Sequence, residues 1–340
     1  MQVNSDDLML VTGATGLVGS HVVERAVQDG WRVRALIRSG SKTDFLRSMP
    51  IELHEGDLDQ PESLQSACRG VTILVHCAAK VGDWGQTEEY RRVNVDGTRA
   101  LLDAAIASGT LKRWVQISSL GVYEAKDHYG TDEATAPCTT GIDGYTLTKV
   151  ESELLVCDYI RTRQLPAVVL RPGFIYGLRD RTILPRLIDR LRSGKFAFLG
   201  SPDKLMNNTW VGNLCVAIWL AIQRDDVVGE IFNIRDPRAV TKREFINTMC
   251  DVAGVARPTK VVPLPVAKIL AKVMETTARL LGSKEAPLLN NARIKFLGLN
   301  LDYSIDKAVR KLGYEPSTDF RDAMALSTAT AGTESHPSGI

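Results

Sequence analysis

The chain has six cysteines in 340 residues, Cys68, Cys77, Cys138, Cys157, Cys215 and Cys250, and none stands in a Cys-x-x-Cys pair. This scatter argues against a zinc site and a disulfide framework and predicts a reducing, cytoplasmic setting with no metal. No apolar run is long enough to cross a bilayer, the longest lying near Leu214 to Ile222. No block of one charge occurs either. Lys+Arg minus Asp+Glu is 42 − 40 = +2 with the signs interspersed, which excludes a basic nucleic-acid face. The opening Met1 to Asp7 has neither the basic nor the apolar region of a signal peptide. Internal repeats are absent, and the length suits one domain carrying a lobe.

What is present is an alternation of β-rich apolar runs with helical patterns. Strands are predicted at 8–11, 32–37, 51–54, 72–77, 113–118 and 167–171, with helices between them. Such alternation predicts an α/β fold, a doubly wound parallel sheet with helices on both faces. After Gly177 the pattern changes, with Pro185, Arg186, Arg190 and Arg192 entering and Ser201 to Lys204 reading as a loop. A helix at 211–223 and a strand at 230–234 return to the main sheet, and Thr241 with Glu244 reads as a capping box. The division is therefore 1–177 with 211–235 as one domain, 178–210 with 236–326 as a smaller α/β lobe, and 327–340 as a small, polar, disordered tail.

Three local patterns carry chemistry. The first strand runs into Thr12-Gly13-Ala14-Thr15-Gly16-Leu17-Val18-Gly19 and then a helical period up to Gly30. Glycines there permit a tight turn and a close approach of backbone to a pyrophosphate, which the helix N-terminus stabilises. The spacing is Gly-x-x-Gly-x-x-Gly and departs from the more familiar Gly-x-Gly-x-x-Gly. The run Arg113 to Ser119 delivers two hydroxyls, Ser118 and Ser119, at a strand's carboxyl end, where open α/β sheets bind their ligands. Gly144-Tyr145-Thr146-Leu147-Thr148-Lys149 sets a phenol one helical turn before an ammonium. A free tyrosine titrates near about 10, and an adjacent cation lowers that value enough for proton transfer.

In this order the patterns resemble the short-chain dehydrogenase/reductase superfamily in its extended branch, over nearly the whole chain. The resemblance implies a Rossmann fold and a Ser-Tyr-Lys triad at Ser119, Tyr145 and Lys149, with Ser119 preferred to Ser118 by its register to Val122-Tyr123. It makes Gly13, Thr15, Gly16, Leu17, Val18 and Gly19 the cofactor turn, and Gly56-Asp57-Leu58 the adenine contact. Ala78 and Ala79 of His76-Cys77-Ala78-Ala79 fall beside the cofactor, and Asn94 is a structural asparagine. Arg171-Pro172-Gly173-Phe174-Ile175-Tyr176-Gly177 is similar to the branch's sixth-strand motif and brings Pro172 to the cofactor. Lys149 is expected to depress the Tyr145 pKa and to hold the nicotinamide ribose.

No carboxylate follows the second strand, which reads Ala35 to Lys42, whereas Arg38 and Lys42 suit a 2′-phosphate. NADP is thus favoured over NAD. Ala79 to Gly85, Ile183 to Leu187 and Asn208 to Asn213 look most like the 3β-hydroxysteroid dehydrogenase-like subgroup, including bacterial 2-alkyl-3-oxoalkanoate reductases. That implies hydride transfer to or from an apolar hydroxy or keto substrate, with Trp84, Phe174 and Trp210 as pocket walls, although each aromatic also fits a core position. A nucleotide-sugar epimerase or dehydratase is the alternative, with Arg293 and Arg186 the available diphosphate contacts. A non-catalytic cofactor-binding protein is the more remote one, since Tyr145 and Lys149 are both present. The partner is a small molecule, and a homodimer stays open. Pro265 begins an amphipathic helix with Val266, Ile269, Leu270, Val273, Met274, Leu280 and Leu281 on one face. Core packing against the lobe is the ordinary reading of it, and a lipid-facing or substrate-access helix is the other.

Overall fold

The computed structural model describes residues 7–328. Seven parallel strands form its main sheet: β1 (Leu8–Thr12), β2 (Arg32–Ile37), β3 (Glu52–Glu55), β4 (Ile73–His76), β5 (Arg113–Ile117), β6 (Ala167–Pro172) and β7 (Ile231–Ile234). Their order is β7-β6-β5-β4-β1-β2-β3. The chain thus winds outward from β1 through β2 and β3, then returns across β1 to begin the other half with β4. The order reverses between β1 and β4, where Val11 lies level with Val75. In an open sheet of this kind the crevice beyond the strand ends at that reversal is the ligand site.

Because side chains alternate along a strand, each strand feeds two cores. Met9 and Val11 pack on one face with Val22 and Ala26 of helix α1 (Leu17–Gln28). Leu8 and Leu10 pack on the other with Leu101 and Leu102 of α2 (Gly97–Ala107) and Val156 of α3 (Gly144–Arg163). Helix α4 (Val211–Gln223) covers the first face through Leu214, Ile218 and Trp219. Burial on both sides explains why these strands read as continuous apolar runs. A third cluster stands apart, built from Ile188, Phe198, Phe320 and, from α5 (Lys242–Ala253), Phe245 and Met249.

Three expectations need correction. The Thr241 hydroxyl accepts the Glu244 N–H as an N-cap should, at 3.1 Å, but the reciprocal half of the capping box is replaced, since the Glu244 carboxylate takes Arg238 at 2.8 Å. A guanidinium in reach outcompetes a backbone N–H for a carboxylate. The expected tail starts too early. Residues 320–328 are helical, and Ser327 is buried with its hydroxyl bonded to Ala323 O at 2.6 Å. The remainder of that segment, 329–340, lies outside the described residues, as does most of the Met1–Asp7 segment. Finally, α6 (Leu264–Leu280) is not a core helix. Among its side chains only Ala267 and Ala271 are buried, Leu264 and Met274 are partly covered, and Val266, Ile269, Leu270, Val273 and Leu280 face solvent. Helix α7 (Asn291–Gly298) follows it.

Candidate active site

Gly13 turns the chain after β1 with φ +66, and a side chain there would come within 2.8 Å of the Ala78 backbone nitrogen. A Cβ on Gly19 would lie 2.2 Å from Gly13 O. Both positions therefore require glycine for space, and Gly13 for conformation as well. Gly16 caps α1 without a side-chain hydrogen bond, which leaves first-turn N–H groups directed at the crevice mouth. Thr15, Leu17 and Val18 belong to the same turn and helix start. A cradle made of backbone, closed to a Cβ and carrying a helix's positive end, fits a pyrophosphate.

The second half of the crevice is held to the first by a buried chain of hydroxyls around His76. Thr12 Oγ1 and His76 Nδ1 are 2.7 Å apart, His76 Nε2 and Thr98 Oγ1 3.0 Å, and the Ala78 N–H donates to Thr12 Oγ1 at 3.2 Å. Because the Thr98 hydroxyl donates to Asn94 O at 2.7 Å, His76 must donate from Nε2 and accept at Nδ1. Burial, followed by the Lys149 charge, lowers its pKa to about 3, so the ring is neutral. Ala79 follows Ala78 along the crevice wall. Asn94 pins the next residue, accepting the Lys80 N–H at 2.7 Å and donating to Lys80 O and Thr148 Oγ1.

Beside β2 and β3, a cavity of about 310 Å³ is lined by Arg38, Ser39, Ser41, Glu55, Asp57 and Gln60 among others. Arg38 and Asp57 thus line one cavity. Lys42 is exposed and lines no part of it. Leu58 is buried beneath, its Cβ so near Gly97 that a side chain there would meet it at 2.7 Å. Glu55 was not foreseen. It ends β3 on the cavity side, and nothing in its sequence neighbourhood marked it.

At the end of β5, Ser119 is extended and its Oγ accepts the Gly121 N–H at 2.9 Å. The Ser119 hydroxyl also hydrogen-bonds the Tyr145 phenol and lowers its pKa, against burial and the Asp143 charge, which raise it. Burial is the largest influence, and the phenol is pushed up to about 12. This differs from the expectation that Lys149 would depress it. Lys149 instead donates to Ile117 O at 2.6 Å, under the sheet end. Burial holds its own pKa down at about 8, opposed by the Glu153 charge. Helix α3 sets both side chains: Asp143 caps it by accepting the Thr146 N–H at 2.7 Å, with Thr146 returning the bond in a capping box.

Ser118, by contrast, belongs to the interior. Its hydroxyl donates to Glu153 Oε2 at 2.6 Å, and Glu153 also pairs with Arg171, whose NH1 donates to the Tyr123 hydroxyl at 2.7 Å. Glu153 and Arg171 are 1% and 2% exposed. The spacing Tyr145, Lys149, Glu153 continues one helix face, a regularity that could have revealed Glu153. Lys295 could not have been found this way. It comes from α7 and donates to Gly121 O at 2.7 Å and Tyr123 O at 2.6 Å, clamping the turn that follows Ser119.

Pro172 ends β6 beside Gly173, where a Cβ would lie 1.8 Å from Asn207 O. The three aromatic candidates do not form one wall. Phe174 is half-buried, 4.6 Å from Phe296 and edge-on to Phe245 at 5.8 Å, and Trp210 packs on the same cluster. Trp84 lies elsewhere, its Nε1 donating to Ser283 O at 2.9 Å with the Arg279 guanidinium 5.2 Å from its ring. Arg293 is committed to Asp83 at 2.6 Å and to the carbonyls of Pro287 and Leu288, and Arg186 is exposed on a helix.

Residues 9–234 match the family described as NAD dependent epimerase/dehydratase. The chain belongs to that family. Membership accounts for the Gly-rich turn at the sheet's reversal and for a nicotinamide dinucleotide as the family's cofactor. Among relatives, a 4-hydroxy-2-methyl-3-oxo-4-farnesyl-3,4-dihydroquinoline-1-oxide ketoreductase of Stigmatella aurantiaca is 30% identical over 89% of this chain and 90% of its own. A 2-alkyl-3-oxoalkanoate reductase of Shewanella oneidensis is 27% identical over 92% and 84%. The crystal structure of gox2253 superposes with a TM-score of 0.81 at 30% identity, covering 95% of this chain and 97% of that one. The expected Rossmann sheet and family are thereby established, and the named relatives are oxidoreductases of keto compounds.

Proposed function

We propose that this protein is an NAD(P)-dependent oxidoreductase that interconverts a ketone and an alcohol on an apolar substrate, with NADP preferred. The observation that carries this reading is the contact of the Ser119 hydroxyl with the Tyr145 phenol at the end of β5, one helical turn from buried Lys149. Gly13, Gly16 and Gly19 with the start of α1 would hold the pyrophosphate, Ala78 and Pro172 would flank the nicotinamide, and Arg38 with Asp57 would take the adenosine ribose and a 2′-phosphate. Bound there, the dinucleotide supplies or accepts the hydride. Held near 12, Tyr145 is a protonated phenol at neutral pH, the form that donates to a carbonyl oxygen. Ser119, its oxygen fixed by the Gly121 N–H, would turn its proton from the Tyr145 phenol to the carbonyl oxygen and stabilise charge developing there. Lys149 would secure the nicotinamide ribose. Residues 178–210 and 236–326 would form the substrate lobe around the Phe245 cluster.

A nucleotide-sugar reading finds less support. Its diphosphate would need free paired cations, whereas Arg293 is already neutralised by Asp83. The two relatives' names both describe the reduction of a keto compound, one bearing a farnesyl and the other an alkyl group, which favours an apolar ketone here. The deciding assay follows NADPH oxidation across long-chain 3-oxo acids, ketosteroids and UDP-sugars. Turnover confined to the apolar ketones is expected, and calorimetric binding of UDP with no turnover of any ketone would reverse the assignment. Arg38→Asp is expected to lower kcat/KM for NADPH by about tenfold or more, the scale of a lost charge-assisted hydrogen bond, while sparing NADH. A parent enzyme that prefers NADH would contradict the role given to Arg38.

A further inference from the structure

Helix α6 turns its apolar side outward. Ile269 is 65% exposed, Val273 58%, and Leu280 and Leu281 at its end 83% and 78%. Val266 and Leu270 complete a stripe at three- and four-residue steps. A surface helix ordinarily buries such a stripe, and a contiguous exposed patch marks a contact surface. The helix has 17 residues, and no helix among those described is long and apolar enough to cross a membrane. It can lie on a bilayer without spanning it.

The charges select the occupant. Lys272 borders the stripe beside Ile269 and Lys268 follows one turn back, both exposed, while Arg279 and Lys284 stand at the C-terminal end. Against these four cations there are two acids, Glu275 and Glu285. Glu275 is drawn away from the stripe, accepting from Asn291 N at 3.2 Å and Asn291 Nδ2 at 2.7 Å. An apolar stripe with a lysine flank fits acyl chains below and anionic headgroups beside, the lysine stems lying along the apolar surface. A second copy of the chain across a twofold axis would instead set the same cations near one another.

We propose that α6 docks this protein on an anionic lipid surface. The stripe rests at the headgroup–acyl boundary, and Lys268 and Lys272 face phosphates. Because Trp84 is tied to Ser283 and Arg279 at the end of this helix, docking places the segment after β4 on the bilayer side of the crevice. That is the side from which a lipid-phase ketone would arrive, a corollary that rests on the apolar-substrate reading above.

The test is flotation of the full chain with vesicles of phosphatidylcholine and phosphatidylglycerol, against phosphatidylcholine alone. The protein is expected to float with the anionic vesicles and to lose this in high salt. Lys268→Gln with Lys272→Gln should weaken partitioning about 30-fold, near fivefold per charge. Ile269→Glu with Val273→Glu should abolish it without altering the melting temperature, since both side chains are in solvent. Protein that stays below the anionic vesicles, or an Ile269→Glu/Val273→Glu variant that floats like the parent, overturns the proposal. So does light scattering in which that variant converts a dimer to a monomer, which would give the face to a second copy. Turnover of a water-soluble short-chain 3-oxo ester is measured in parallel. Turnover without flotation defeats docking alone, and flotation without turnover of any ketone defeats the catalytic reading alone.

Discussion

Tyr145→Phe is expected to lower kcat by at least about 10²-fold, the contribution of a positioned general acid, while leaving cofactor affinity close to the parent value. The substitution removes one oxygen from a half-buried ring whose place is fixed by the capped start of α3, so the fold has no reason to change. Dinucleotide contacts are assigned to the Gly13 turn, Arg38 and Lys149, none of which touches that oxygen. Single-turnover kinetics with NADPH and the best ketone separates chemistry from binding. A folded variant with near-parent turnover would remove Tyr145 from the mechanism, and a loss confined to KM would make it a binding residue.

Breaking the Glu153–Arg171 pair is expected to have the largest effect on stability. Glu153→Leu leaves a guanidinium in the interior with only the Tyr123 hydroxyl as a polar partner and frees the Ser118 hydroxyl of its acceptor. Removing one member of a buried ion pair costs about 3–5 kcal/mol, and denaturant unfolding of the variant measures it. Arg171→Leu added to Glu153→Leu should recover part of the loss, because no uncompensated charge then remains. The milder Glu153→Gln tests a second consequence. The Glu153 charge raises the pKa of Lys149, which burial otherwise lowers. Without that charge Lys149 loses its proton at lower pH, so the alkaline limb of the kcat/KM profile should move acidward. A profile that stays in place with a stable Glu153→Gln variant would leave Glu153 a purely structural residue.

The strand at 32–37 and the helix at 211–223 stand where their periodicity puts them, because a strand buried on both faces and a helix packed on a sheet each impose a simple repeat on the sequence. The Gly13 turn was legible because only glycine fits 2.8 Å from the Ala78 backbone. The helical spacing of Tyr145 and Lys149 was legible too, but their electrostatics were not. Burial, a property of the whole fold, raised the phenol pKa and lowered that of Lys149.

Residues joined across long stretches of chain left no local trace. Lys295 reaches Gly121 and Tyr123 from more than 170 positions away, and Arg293 met Asp83 in place of a diphosphate. The apolar face of α6 was visible as a period of three and four, yet a period states only that one side is apolar. Which way that side points depends on what the neighbouring elements leave uncovered. The sequence by itself determined the family, the doubly wound sheet and the places of the glycine-rich turn at Gly13 and of the helical pair Tyr145 and Lys149, since each depends on neighbours in the chain or on one repeating pattern. The tertiary structure alone decided the pKa shifts of Tyr145 and Lys149, the buried Glu153–Arg171 pair and the outward turn of α6, since these depend on dielectric surroundings and on packing between distant segments.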